Sequence, residues 1–149
     1  MIKIHITKKA FSRIDYKKLG KQAREVFDLL SIKDGELELN FVRTDKMRKI
    51  NKSFRGKDES TTILSFVASE TRDFIEPSEN KDYLGEIFMC VSEIKKKAKS
   101  EEISTESLMT RYLVHGILHL LGRIHDTKES LLKMEAEEDQ ILAALNVKS

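Results

Sequence analysis

His115-Gly116-Ile117-Leu118-His119-Leu120-Leu121-Gly122-Arg123-Ile124-His125-Asp126 holds three of the four histidines of a 149-residue chain. From Tyr112 to Leu121 the residues are apolar nearly all round, which predicts a helix buried in the interior rather than laid on a surface. Gly122 directly follows this run, and a glycine there predicts the left-handed residue that ends a helix and turns the chain. The rest of the fold is therefore expected to wrap around a central helix and the turn after it.

On that helix His115 and His119 are four residues apart, so their side chains project from one face about one turn apart and can grip one metal ion. The turn at Gly122 lets His125 swing back over them. Three neutral imidazoles leave one position of a tetrahedral zinc for water, the open arrangement of a catalytic centre, and such water titrates near a pKa of about 7. Metzincin peptidases use the same offsets, HExxHxxGxxH. Here Gly116 stands where they carry the glutamate that serves as general base, so the pattern points to a hydrolytic metal centre that differs from a standard protease.

The bulk composition is that of a soluble globular protein, 40% hydrophobic and 35% charged, and the length suits a single domain over residues 1–149. No apolar stretch approaches the roughly 20 residues of a membrane span, and the start, Met-Ile-Lys-Ile-His-Ile, lacks the uninterrupted apolar region of a signal peptide. A cytoplasmic location is the expectation. The single cysteine, Cys90, lies in the apolar run Ile-Phe-Met-Cys-Val and reads as a small buried hydrophobe. A net charge of +2 says little, but its distribution is uneven. Arg43 to Lys57 contains seven Lys or Arg residues against one acid, Asp45, while Glu129 to Asp139 holds five acids and one lysine. The basic stretch suits phosphates if it forms one surface, and suits a solvated helix face equally well.

Ile2, Ile4 and Ile6 alternate with polar residues as in a half-buried strand, and Leu19, Ala23, Val26, Phe27 and Leu30 follow at helical spacing over about Asp15 to Leu30. Gly35 opens a second alternating strand with Leu37, Leu39 and Phe41. Asp45 is expected to cap a short basic helix running to about Phe54, with Arg48, Lys49 and Lys52 outward and Arg55-Gly56-Lys57-Asp58 ending it. Thr61 to Val67 reads as a third strand. Ala68 to Asp82, which contains the only proline, Pro77, reads as an exposed loop. A fourth strand follows from Leu84 to Val91, then a Lys-rich helix capped by Ser92, the histidine helix from about Ser104, and a last helix from Lys128 to Leu145. On that last helix Leu131, Met134, Ile141, Leu142 and Leu145 share a face, and Glu138 projects from the middle of it. A carboxylate so placed needs a partner, such as a ligating histidine or an arginine, unless it sits at a wet margin.

Three blocks resemble a known family, the YbeY rRNA maturation factors. The family signature HGxLHLxGxDH stands here as His115 to His125, NxxxRGKDxPTDVLSF resembles Asn51 to Phe66, and LGDI is similar to Leu84-Gly85-Glu86-Ile87. The resemblance implies an α+β fold, a small mixed four-stranded sheet with about five helices, and one Zn2+ ion on His115, His119 and His125, other divalent transition metals being open. It also implies cleavage of single-stranded RNA, in maturation of the 3′ end of small-subunit (16S) rRNA and in ribosome quality control, with the small ribosomal subunit and its proteins as partners. The functionally important arginine of the RGKD block maps onto Arg55, whose guanidinium suits a phosphate beside a metal and its bound water. The resemblance makes Arg48, Lys49, Lys52, Lys57 and Arg123 candidates for contacting the RNA backbone, while of the aromatics open to base stacking, Phe54, Phe66, Phe74 and Tyr83, the first two fit the core better. The family's aspartate before the third histidine is Ile124 here, its Thr-Asp pair is Thr61-Thr62, and its proline after Ser-Phe is Val67. Asp126 and Glu138 are the candidates for supporting the ligands from behind. Two other readings stay open, a metzincin-like protease and a non-catalytic assembly factor stabilised by its metal.

Overall fold

The computed structural model describes residues 1–8, 13–71, 82–123 and 126–147. Four strands, β1 (Ile2–Lys8), β2 (Gly35–Phe41), β3 (Ile63–Val67) and β4 (Tyr83–Met89), form one sheet in the order β1-β2-β4-β3. β1 and β4 run parallel to β2, while β3 is antiparallel to β4, so the sheet is mixed. Among the described residues six helices accompany it: α1 (Tyr16–Leu29), α2 (Thr44–Arg55), α3 (Ala68–Thr71), α4 (Val91–Ser100), α5 (Thr105–Leu120) and α6 (Lys128–Ala144).

Strand alternation assigns the two faces. Leu37, Leu39 and Phe41 on β2 and Ile87 and Met89 on β4 are fully buried against α1 and α5, and Ile2, Ile4 and Ile6 join them from the edge strand β1. On the opposite face Leu64 and Phe88 pack with Met47, Val42 and Cys90 beneath α2. Phe66, on the same face, stacks against Phe54 of α2 with ring centroids 4.8 Å apart. Cys90 is buried, as its apolar run predicts.

β4 needs a glycine to reach its neighbours. Between Glu36 and Leu37 the β2–β4 register slips by one residue, and Gly85 there adopts φ +142°. A Cβ at that position would lie 2.0 Å from the backbone oxygen of Phe66 on β3, which no side chain can tolerate. The glycine of the Leu84-Gly85-Glu86-Ile87 block is therefore a requirement of sheet packing.

α5 is the central helix. Leu108, Met109, Leu113, Val114, Ile117, Leu118 and Leu120 are buried around it, in contact with the sheet, α1, α4 and α6. Ser104 caps its start by accepting from the backbone N–H of Ser107, and Gly122 closes it at φ +87°. α6 begins in a reciprocal capping box between Thr127 and Ser130.

Several expected boundaries shift. Asp45 does not cap α2, which starts one residue earlier with Arg43 at the cap position and no side-chain cap bond. Asp45 instead lies in the first turn, where a carboxylate suits the helix dipole. Ser92 is likewise inside α4, whose cap position is Cys90; the Ser92 hydroxyl bonds Thr44 instead, at 2.9 Å. β3 begins at Ile63 rather than Thr61, and β4 ends at Met89 because Val91 already belongs to α4. The sixth helix, beyond the five expected, is the single turn α3 at the start of the segment read as a loop. Ile124, His125, Phe74 and Pro77 lie outside the described residues. Among the described residues no helix is long and apolar enough to cross a membrane.

Candidate metal centre and phosphate site

His115 and His119 lie on the last turns of α5, and two carboxylates from other elements reach them. Glu138, on the half-buried side of α6, places Oε1 2.5 Å from Nδ1 of His115. A carboxylate on Nδ1 fixes the ring orientation and tautomer, so any metal bond from this imidazole must come from Nε2. That is the arrangement in which a zinc-binding histidine is usually held, and His115 so placed fits the ion. His125 falls outside the described residues, and among those described no group of three or more metal-binding side chains is assembled.

The second carboxylate is Glu70 of α3, which pattern reading did not single out. Its Oε2 accepts from Nη1 of Arg55 at 2.8 Å, and its Oε1 accepts from the backbone N–H of Val67 at 3.2 Å. Burial pushes the Glu70 carboxyl up, but the Arg55 and Val67 hydrogen bonds outweigh it and hold the group below the usual carboxylate range. His119 is near enough for its charge to act on the same carboxylate. Arg55 is thus tied to a residue 15 positions further on, in a short helix after β3, a contact with no local sequence signal.

Arg55 leaves the last turn of α2, which Gly56 terminates in the left-handed conformation at φ +71°. Its Nη2 donates to the carbonyl of Ser65 at 3.2 Å, and Cζ lies 4.7 Å from the centroid of the Phe66 ring. Phe66 is therefore a buried support for the guanidinium rather than a surface for bases. Ser65 also touches the histidine helix. A Cβ on Gly116 would stand 3.1 Å from Ser65 Oγ and 2.9 Å from Ile87 Cδ1. Gly116 packs directly on the sheet at Ile87 and Ser65, and the peptidase glutamate at this position would have to enter the core.

The other candidates take varied places. Arg48 bonds Asp58 through Nε at 2.7 Å, with Lys52 Nζ 3.9 Å from the same carboxylate. Together with Arg43 and Lys49 they line a cleft of about 960 Å3 between α2 and the start of α4. Lys57 and Arg55 line a smaller hollow of about 310 Å3. Arg123 is engaged by both oxygens of Glu137, at 2.9 and 3.4 Å. Asp126 accepts a hydrogen bond from Ser130 Oγ at 3.3 Å at the start of α6. Phe54 packs on Phe66, and Tyr83 is half-buried on β4.

The family described as endoribonuclease YbeY matches residues 2–146. A relative from Hydrogenovibrio crunogenus, named Endoribonuclease YbeY, is 34% identical over 118 residues, covering 78% of this chain and 74% of that protein. Another of the same name from Paraburkholderia phytofirmans is 37% identical over 112 residues, 75% of this chain and 69% of the relative. The solution structure of a Thermotoga maritima protein superimposes with a TM-score of 0.62 at 24% identity, covering 98% of this chain and 92% of that one, and so shares the fold. With nearly its whole length matched by the family and about a third of the aligned residues identical to those of curated members, this chain belongs to the endoribonuclease YbeY family.

Proposed function

We propose that this chain is a metal-dependent, single-strand-specific endoribonuclease of the cytoplasm, acting in maturation of the 3′ end of 16S rRNA and in ribosome quality control on the small ribosomal subunit. The observation that carries the reading is Arg55 bonded to the carbonyl of Ser65, whose side chain lies against Gly116 of the histidine helix, in a chain of an endoribonuclease family. His115, His119 and His125 would hold one Zn2+ ion, which supplies Lewis-acid charge stabilisation and lowers the pKa of water. Glu138 orients His115 for that role. Arg55 presents a planar fork to the non-bridging oxygens of a phosphodiester, where negative charge builds during attack on phosphorus.

The RNA backbone runs along α2. From Thr44 to Arg55 the helix spans about 16 Å, with Arg48, Lys49 and Lys52 facing the cleft at one end and Arg55 and Lys57 at the other. Exchange of these lysines for glutamine is expected to weaken binding to all single-stranded RNAs alike. It should also flatten the salt dependence, by about 0.7 in the log–log slope for each lysine–phosphate pairing removed. A peptidase reading is disfavoured by Gly116, which leaves no space for the missing glutamate.

The test is a defined single-stranded RNA carrying the 16S 3′ precursor end, incubated with zinc-replete protein beside an unstructured protein substrate. RNA cleavage lost in His119→Ala and in Arg55→Ala supports the reading. Casein cleavage lost in His119→Ala, with RNA left intact, would sink it.

A further inference from the structure

We propose that Glu70 is the positioning residue that holds the Arg55 guanidinium at the histidine site. This rests on the reading of Arg55 as the phosphate-binding arginine and names the residue on which that role depends. Arg55 projects from the last turn of a helix on a long side chain with many rotamers, so an unsupported guanidinium would be spread over several positions. Three contacts collapse that spread. Glu70 takes Nη1, the Ser65 carbonyl takes Nη2, and the Phe66 ring lies beneath the plane.

Glu70 is itself fixed, because its second oxygen accepts from the Val67 N–H at the end of β3. The position of the guanidinium is thereby referred to the backbone of one strand at Ser65 and Val67. These contacts use two of the fork's five N–H donors, and the rest of the fork remains for phosphate oxygens. The Arg55–Glu70 pair is about one-third exposed on both sides, and pairs of that kind contribute little to folding stability. Misplacing a catalytic group by about 1 Å, by contrast, can cost around 100-fold in rate. The pair matters for orientation far more than for holding the fold together.

The experiment compares the zinc-loaded full chain with Glu70→Gln, Glu70→Asp, Arg55→Ala and the double variant Arg55→Ala/Glu70→Gln on one single-stranded RNA. Glu70→Gln is expected to lower kcat about 10- to 100-fold with KM, melting temperature and zinc content little changed. Glu70→Asp should recover part of the loss. In the Arg55→Ala background, removing Glu70 should cost nothing further, because residues acting as one unit are not additive. Losses that multiply, loss of zinc from Glu70→Gln, or an unchanged kcat would overturn the proposal while leaving the role of Arg55 standing. Full activity of Arg55→Ala would overturn both. A second readout needs no turnover: side-chain 15N NMR should show distinct Nη1 and Nη2 signals for Arg55 that average together in Glu70→Gln, and identical spectra would equally overturn the assignment.

Discussion

Glu138 Oε1 and His115 Nδ1 lie 2.5 Å apart, joining α6 to α5 across 23 residues of sequence. At the proposed zinc site this bond would leave Nε2 of His115 to face the metal. Glu138→Ala is expected to weaken zinc binding by roughly 10- to 100-fold, the usual cost of removing a carboxylate that orients a ligand. Chelator competition on the purified variant measures it. Zinc affinity equal to wild type would show that the ring needs no such support.

Gly116 gives a second prediction. Gly116→Ala gains about 1 kcal/mol of helix propensity, yet its Cβ meets Ile87 Cδ1 at 2.9 Å and Ser65 Oγ at 3.1 Å inside a packed core. Overpacking costs about 1–3 kcal/mol, so a modest net destabilisation is expected in urea titration. Gly116→Glu, which restores the peptidase letter, should fail to fold stably and show no proteolysis. A stable, proteolytic Gly116→Glu protein would refute this account of the position.

At Gly85 the conflict is with backbone, which cannot turn aside. With φ at +142° and the Phe66 oxygen 2.0 Å from any Cβ, Gly85→Ala is expected to cost about 3 kcal/mol or more. Thermal unfolding should show a drop of several degrees or an insoluble protein. A melting temperature within a degree or two of wild type would contradict it.

Glu86 predicts a pH dependence. It faces Glu38 across β2 and β4 and is 9% exposed. Burial, then the hydrogen bond with Glu38, push its carboxyl up to about 8 from an ordinary 4.5. Between those values the folded protein keeps a proton that the unfolded chain has released, so stability falls as pH rises through the window, by up to about 1.4 kcal/mol per unit. Glu86→Gln should remove this slope and be the more stable protein at pH 8. Parallel stability curves for the two proteins from pH 5 to 8 would overturn it.

What could be read from the chain follows local periodicity. The alternation of Ile2, Ile4 and Ile6, the all-round apolar run to Leu121, and the glycine after it each constrain a few adjacent residues, and each appears where expected. Glu138 stood out because a carboxylate broke an apolar face, and that anomaly marks its contact with His115. Caps were harder to read. Asp45 and Ser92 have capping side chains, but the preceding strands Gly35–Phe41 and Tyr83–Met89 set where α2 and α4 start, in each case one residue before those side chains. Glu70 and the support of Arg55 by Ser65 could not be read at all. They depend on α2 packing across β3, as Phe54 does on Phe66, and no spacing within the chain encodes that juxtaposition.

The turn after α5 is fastened at both ends, by Gly122 in the left-handed conformation and by the Thr127–Ser130 capping box. Only four residues, 123–126, separate these anchors, and His125 is one of them. If His125 completes the proposed zinc site, the number of residues between these anchors matters more than their type. Inserting one glycine after Arg123 should leave the helices and the melting temperature nearly intact while abolishing stoichiometric zinc binding.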